Sequence, residues 1–138
     1  MIGVCLAAAG LVAGITTGIS ASLPLQSFTL AWTHSIEKIR WEEDYRVVQG
    51  ADGLRLQLTE ARIRGSGAGM EPPPDAVFGA GAWHYVPPLP PLERLHLARS
   101  DYVADYQLCW DGSCRSMATL TGPPATAPEV EVFPCLLP

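Results

Sequence analysis

The sequence predicts an all-β fold, a single small antiparallel β-sandwich or barrel of about seven strands behind an N-terminal apolar segment. Three observations carry that prediction. The runs "FTLAWTH" and "WEEDYRVV" alternate apolar and polar residues with the period of a half-buried strand. Tight-turn signals such as Asp52-Gly53 and Asp111-Gly112 punctuate the alternating runs. Beyond the N-terminal segment no stretch has helical periodicity.

The elements follow in chain order. Phe28, Leu30, Trp32 and His34 share one face of the first run; Trp41, Glu43, Tyr45 and Val47 share one face of the next. A hairpin loop over Glu37 to Arg40 then pairs His34 with Glu43, Trp32 with Tyr45 and Leu30 with Val47. In "GLRLQL" the apolar positions are Leu54, Leu56 and Leu58, but after Thr59 the parity slips to Ala61 and Ile63. That slip predicts a bulge or bend near Glu60. "AWHYV", "RLHLA" and "DYQLCW" add strands, and "CRSMATL" returns from the Asp-Gly turn.

Asp111-Gly112 is a type I′ turn signal, since both central positions need positive φ. It sets Cys109 opposite Cys114 at a non-hydrogen-bonded site, close enough for a structural disulfide. A redox-active pair is the alternative, but Cys-x4-Cys lacks thioredoxin-type spacing. A metal knuckle needs two further ligands nearby, and the sequence shows none.

At 138 residues the chain has room for one domain. Residues 1–22 read as a signal peptide or a membrane anchor, residues 27–120 as the β domain, and residues 121–138 as a Pro-rich tail in which "EVEVF" is able to dock as an edge strand. Either reading of the N-terminus exports the domain, to the periplasm or to the periplasmic face of the inner membrane. Membrane contact would run through residues 2–19. Cys5 then departs with the leader or sits in the anchor, and Cys135 is an unpaired thiol. Net charge is −5 with scattered Lys and Arg, which excludes a basic patch for nucleic acid.

Two constellations are candidates for function. The first is "RGSGAGMEPPP", with Gly65, Gly67, Gly69 and Met70. It has neither the G-x-G-x-x-G spacing nor the Gly-Lys-Ser/Thr of nucleotide loops, and three prolines forbid a following helix. It reads as a tight corner covered by Met70, or as a backbone nest for a carboxylate or a partner's loop. The second is His34 with Glu43, costly on an inward face unless paired with each other. It reads as a structural pair, a ligand-contacting pair, part of a metal site with His84, His96 or Glu37, or a base with Ser35 or Ser66 as nucleophile. Ser35 points to the opposite face from His34, no G-x-S-x-G elbow is present, and no ligand pair has H-x-H or H-E-x-x-H spacing. No cofactor, metal or catalytic residue is therefore assigned.

Together "TLAWTHSIEKIRWEEDYRV", "LTEARIRGSGAGMEPPP", "WHYVPPLPPLERLHLARS" and "YQLCWDGSCR" resemble one bacterial family, a domain of unknown function encoded beside TAXI-type TRAP transporter genes and sometimes fused to the permease. The resemblance spans about Phe28 to Met117. It implies no catalytic residues. It implies an exported, non-enzymatic accessory protein whose partner is the TRAP permease or its solute-binding protein, with "YVPPLPPL" as a pre-ordered contact segment. The alternative is a small-ligand or metal-binding β domain centred on His34 and Glu43, and less readily a hydrolase.

Overall fold

The computed structural model describes residues 1–9, 16–34, 38–64 and 72–138. Within them the chain runs β1 (Ile2–Ala9), β2 (Thr16–Leu23), β3 (Ser27–Thr33), β4 (Arg40–Gly50), β5 (Gly53–Arg64), β6 (Val77–Gly79), β7 (Ala82–Tyr85), β8 (Leu95–Ala98), β9 (Gln107–Trp110), β10 (Ser113–Ser116), α1 (Met117–Thr121) and β11 (Glu129–Leu136). The strands form a four-stranded sheet of order β2-β1-β11-β8 and a seven-stranded sheet of order β10-β9-β3-β4-β5-β7-β6. The two antiparallel sheets pack as a sandwich and do not close into a barrel. The all-β fold is as expected, with eleven strands among the described residues instead of about seven.

Alternation builds the core. Phe28 and Leu30 of β3, Tyr45 of β4, Leu56 and Leu58 of β5 and Leu108 of β9 meet Val4, Leu6, Leu95, Leu97, Val130 and Val132 of the four-stranded sheet, with Met117 at one end. The parity slip in β5 is a bulge. Asp44 faces Glu60 while Tyr45 faces Leu58, which leaves Thr59 as the extra residue. Its hydroxyl donates to the Asp44 carbonyl at 3.2 Å. The bulge lets Leu56 and Leu58 on one side, and Ala61 and Ile63 on the other, all turn inward and be buried.

The Asp-Gly hairpin forms as expected. Asp111 and Gly112 have φ of 50° and 77°, Trp110 faces Ser113, and Cys109 is bridged to Cys114. The strand expected to run on through "CRSMATL" stops at Ser116. There the Ser116 hydroxyl accepts from the Ala118 N–H at 3.1 Å and caps α1, and Gly122 closes that turn with φ 90°.

Both ends of the chain differ from expectation. Residues read as a leader or anchor form β1 and β2, and the segment read as a Pro-rich tail supplies β11, which lies inside the sheet between β1 and β8. Val4, Leu6, Val130 and Val132 are fully buried. A strand covered on both faces reads as a continuous apolar run, so a leader-like composition suits it equally well. Cys5 and Cys135, expected to be separated and unpaired, are bridged across β1 and β11. This bridge spans 130 positions and the Cys109–Cys114 bridge spans five. Chain-entropy reasoning gives about 5 kcal/mol for the first and about 2 kcal/mol for the second. Two disulfides point to an oxidising environment, as met by exported proteins. Among the described residues no helix is long and apolar enough to cross a membrane.

One arginine ties the sheets together. Arg99 follows β8, and its side chain is fully buried. Its Nε and Nη2 donate to the two Asp105 carboxylate oxygens at 2.9 and 2.7 Å. Nη1 donates to the Ala127 carbonyl and the Thr121 hydroxyl, and Nη2 also to the Gly122 carbonyl. All five donors are used. Arg99→Met is expected to destabilise the fold by about 3–5 kcal/mol, because Asp105 loses its partner and two carbonyls are orphaned. Urea unfolding checks this. Cys135→Ser should cost more than Cys114→Ser in the same measurement.

Candidate functional site

His34 and Glu43 are not partners. The β3–β4 register pairs Leu30 with Glu43, Trp32 with Trp41 and Phe28 with Tyr45. The expected pairs His34–Glu43, Trp32–Tyr45 and Leu30–Val47 are therefore corrected by a shift along β4 that keeps the same face. His34 closes the hairpin with Ile39: its N–H donates to the Ile39 carbonyl at 2.8 Å, and the Lys38 N–H donates back to the His34 carbonyl at 2.9 Å. Glu43 lies opposite Leu30, so it is roughly 13 Å along β3 from His34. An even-numbered shift keeps every side chain on its face, so alternation alone does not distinguish the two registers.

Each of the two residues has its own surroundings. Burial raises the Glu43 pKa, and the hydrogen bond from the Tyr45 hydroxyl at 3.0 Å offsets that only in part. Burial, reinforced by the Glu43 charge, also pushes up the phenols of Tyr45, Tyr85 and Tyr106. His34 lies beside Trp41, which stacks on Trp32, which tilts against Tyr106, with ring centroids 6.4, 6.1 and 6.0 Å apart. A small pocket of about 200 Å³ opens here, lined by Trp32, His34, Tyr106 and the Arg99–Asp105 pair. Gly65, Gly67, Gly69 and Met70 lie outside the described residues, as do Ser35, Glu37 and Ser66. Among the described residues no group of three or more His, Cys, Asp or Glu is placed to hold a metal ion.

The larger cavity lies on the opposite face of the same sheet. A groove of about 910 Å³ is floored by β3, β4 and β5 and walled by the β9–β10 hairpin and the Pro24–Ser27 segment. Its chemistry comes from the polar parity of β4 and β5. Arg62 is the hub: it donates to Glu42 at 2.9 Å, to both Asp44 oxygens at 2.6 and 2.7 Å, and to Glu60 at 2.9 Å. Glu42 also receives Arg40 at 3.0 Å and Arg64 at 2.9 Å. Asp44 receives the Thr29 hydroxyl at 2.6 Å. Burial opposes ionisation of Glu42 and Asp44, but the hydrogen bonds from Arg62, with Arg40 or Thr29, outweigh it and lower both pKa values. The Arg62 guanidinium is held charged mainly by its hydrogen bond with Asp44. Arg46, exposed at the groove, stands outside this network.

His84 extends the network onto β7, opposite Arg62. Its Nδ1 is 2.8 Å from Glu60 and its Nε2 is 2.9 Å from the Gly79 carbonyl. Two acceptors call for two donors, which only the imidazolium supplies. Its pKa is accordingly raised, through Glu60 first and Gly79 next, and Glu60 is lowered in turn. Glu42 and Asp44 alternate with Trp41, Glu43 and Tyr45, and Arg62 and Arg64 alternate with Ala61 and Ile63, so they fall on the polar face, and a polar face usually means solvent. Only the β4–β5 register brings them into one cluster.

A family model, domain of unknown function DUF1850, matches residues 28–117. The chain belongs to the DUF1850 family. No curated protein and no solved structure matches it. The DUF1850 match takes in the larger sheet from Phe28 onward, and with it the charged floor of the groove and the aromatic pocket; the Pro24–Ser27 wall, β1, β2 and β11 fall outside it.

The pH dependence of stability should show two limbs. Glu42, Asp44 and Glu60 have lowered pKa values, so their contribution is present above pH ~4.5 and is lost as pH falls through the folded values. His84 has a raised pKa, so its contribution is full below pH ~6.5 and is lost as pH rises through the folded value. Melting temperatures of His84→Gln should lose part of the upper decline and the share of the acid limb that His84 gives to Glu60, and keep the share held by Glu42 and Asp44 through Arg62. A His84→Gln profile that parallels the parent above pH ~6.5 would contradict this account.

Proposed function

We propose that this protein is an exported binding module, and that its contact surface is the ionic groove of the seven-stranded sheet. The groove itself carries the reading: its floor is preorganised by a closed network of arginines and carboxylates around Arg62. Charges already held in place lose little freedom when a partner's polar groups dock on them. The same network favours binding over turnover. Each carboxylate is kept ionised by a charged donor, Arg62 at Glu42 and Asp44 and His84 ahead of Arg62 at Glu60, which suits it to positioning and not to proton transfer near neutral pH. Export is supported by the two disulfides.

The transport context is supported by the family resemblance alone. In this reading the partner is a TAXI-type TRAP permease or its solute-binding protein, and the groove receives a polar segment of that partner. The extended contact segment, Tyr85 to Leu92, borders the same sheet. Leu92 bridges to Leu56 of β5, and Val86 and Leu89 stay exposed.

Co-purification of the tagged protein from its native membrane tests this. The permease or the solute-binding protein should be recovered. Arg46→Glu with Ser113→Glu, two exposed groove positions, should lower that recovery about tenfold while changing stability by no more than about 0.5 kcal/mol. Recovery of neither protein, together with normal solute uptake in cells that lack this chain, would overturn the reading.

A further inference from the structure

The two disulfides differ in character. Cys5–Cys135 is in the middle of the four-stranded sheet, and Cys5 is 1% exposed. Cys109–Cys114 closes a five-residue separation at the wall of the groove, and Cys114 is exposed. A cation stands over the second bridge: Arg40 Nη2 lies 3.6 Å from the Cys114 sulfur and 3.8 Å from the Cys109 sulfur. That guanidinium is held in place from two sides, by Glu42 at 3.0 Å and by the Gln107 side-chain oxygen at 2.7 Å. Cys5 has a different neighbour, the neutral Ser22 hydroxyl at 3.7 Å.

A thiolate attacks a disulfide fastest where one sulfur is open to solvent and the departing sulfur is stabilised as an anion. Cys109–Cys114 meets both conditions. We propose that it is a thiol-exchange site for low-molecular-weight thiols, with Arg40 as the positioning residue that stabilises the departing thiolate. This inference does not depend on what occupies the groove.

The step balances in two halves. An incoming thiolate attacks the Cys114 sulfur. The new sulfur–sulfur bond forms as the Cys109–Cys114 bond breaks, and the electron pair leaves on Cys109 next to Arg40. A second thiolate then attacks the sulfur of the first thiol in the mixed disulfide and releases Cys114. Two small thiols are oxidised to one small disulfide, and their two protons end on Cys109 and Cys114. The fold tolerates the opening, because β9 stays paired to β3 through Thr29, Leu30 and Ala31, and β10 stays anchored by the Ser116 cap of α1.

The experiment uses the full chain with reduced glutathione, trapping free thiols by alkylation at intervals and mapping them by mass spectrometry. Cys109–Cys114 should open at least about tenfold faster than Cys5–Cys135, with the glutathione adduct on Cys114. Arg40→Gln should slow that opening about tenfold, and Arg40→Lys, which keeps the charge, should restore part of it. Protection of Cys5–Cys135 reports that each variant remains folded. Should Arg40→Gln unfold, the parent's ratio of rates and the Arg40→Lys rate decide the matter. Equal rates for the two bridges in the parent protein, or opening in folded Arg40→Gln as fast as in the parent, would overturn the proposal.

Discussion

The architecture depends on the guanidinium of Arg99. The chain passes between the sheets after β8, on its way to β9, and again after β10, on its way to β11. Arg99 stands where both passages meet. It binds Asp105 on the first, and Thr121, Gly122 and Ala127 on the second. Its backbone N–H also donates to the Pro128 carbonyl at 2.8 Å. A buried charge is costly unless every donor is met, and here each of the five side-chain donors has an acceptor. The requirement for all of them at once makes the arrangement specific. If either connection moved, the guanidinium would be left partly unpaired.

Arg62 plays the corresponding part on the outer face of the larger sheet. The two arginines work in different media. Arg99 is sealed and orders the fold, whereas Arg62 opens onto a groove and orders a surface. The Thr59 bulge links core and surface. It turns both halves of β5 inward at their apolar positions, and in doing so brings Glu60 opposite Asp44 and Arg62 opposite Glu42.

What was legible in the sequence is what local chemistry decides. Asp111-Gly112 specified its turn and thereby the pairing of Cys109 with Cys114, because few residues accept positive φ twice in succession. The bulge showed as a change of parity after Thr59. The β3–β4 register was not legible. Trp41, Glu43 and Tyr45 keep their face after an even-numbered slip, and the choice rests on how Lys38, with φ 58°, and Ile39 close the loop on His34. Nor was β1, since an uncharged run of small residues suits a leader and a doubly covered strand alike. Arg99 gave no local sign, because its acceptors lie as far as 28 residues away. The candidate groove was visible only as scattered charges until strand pairing gathered them.

The pairing of β1 with β11 has a bearing on what it costs to assemble the two sheets. The hairpins of the larger sheet close over short connections, such as Ala51-Asp52 between β4 and β5. β1 finds β11 across most of the chain, with Val4 opposite Pro134 and Leu6 opposite Val132. The entropy of closing so long a loop must be met before any of those contacts forms. On this topology the hairpins of the larger sheet carry the smaller loop-closure cost, and the docking of β11 on β1 carries the larger. Until β11 arrives, β1 holds an open hydrogen-bonding edge, and Cys5 waits for its partner. Oxidation to Cys135 therefore records that β11 has docked.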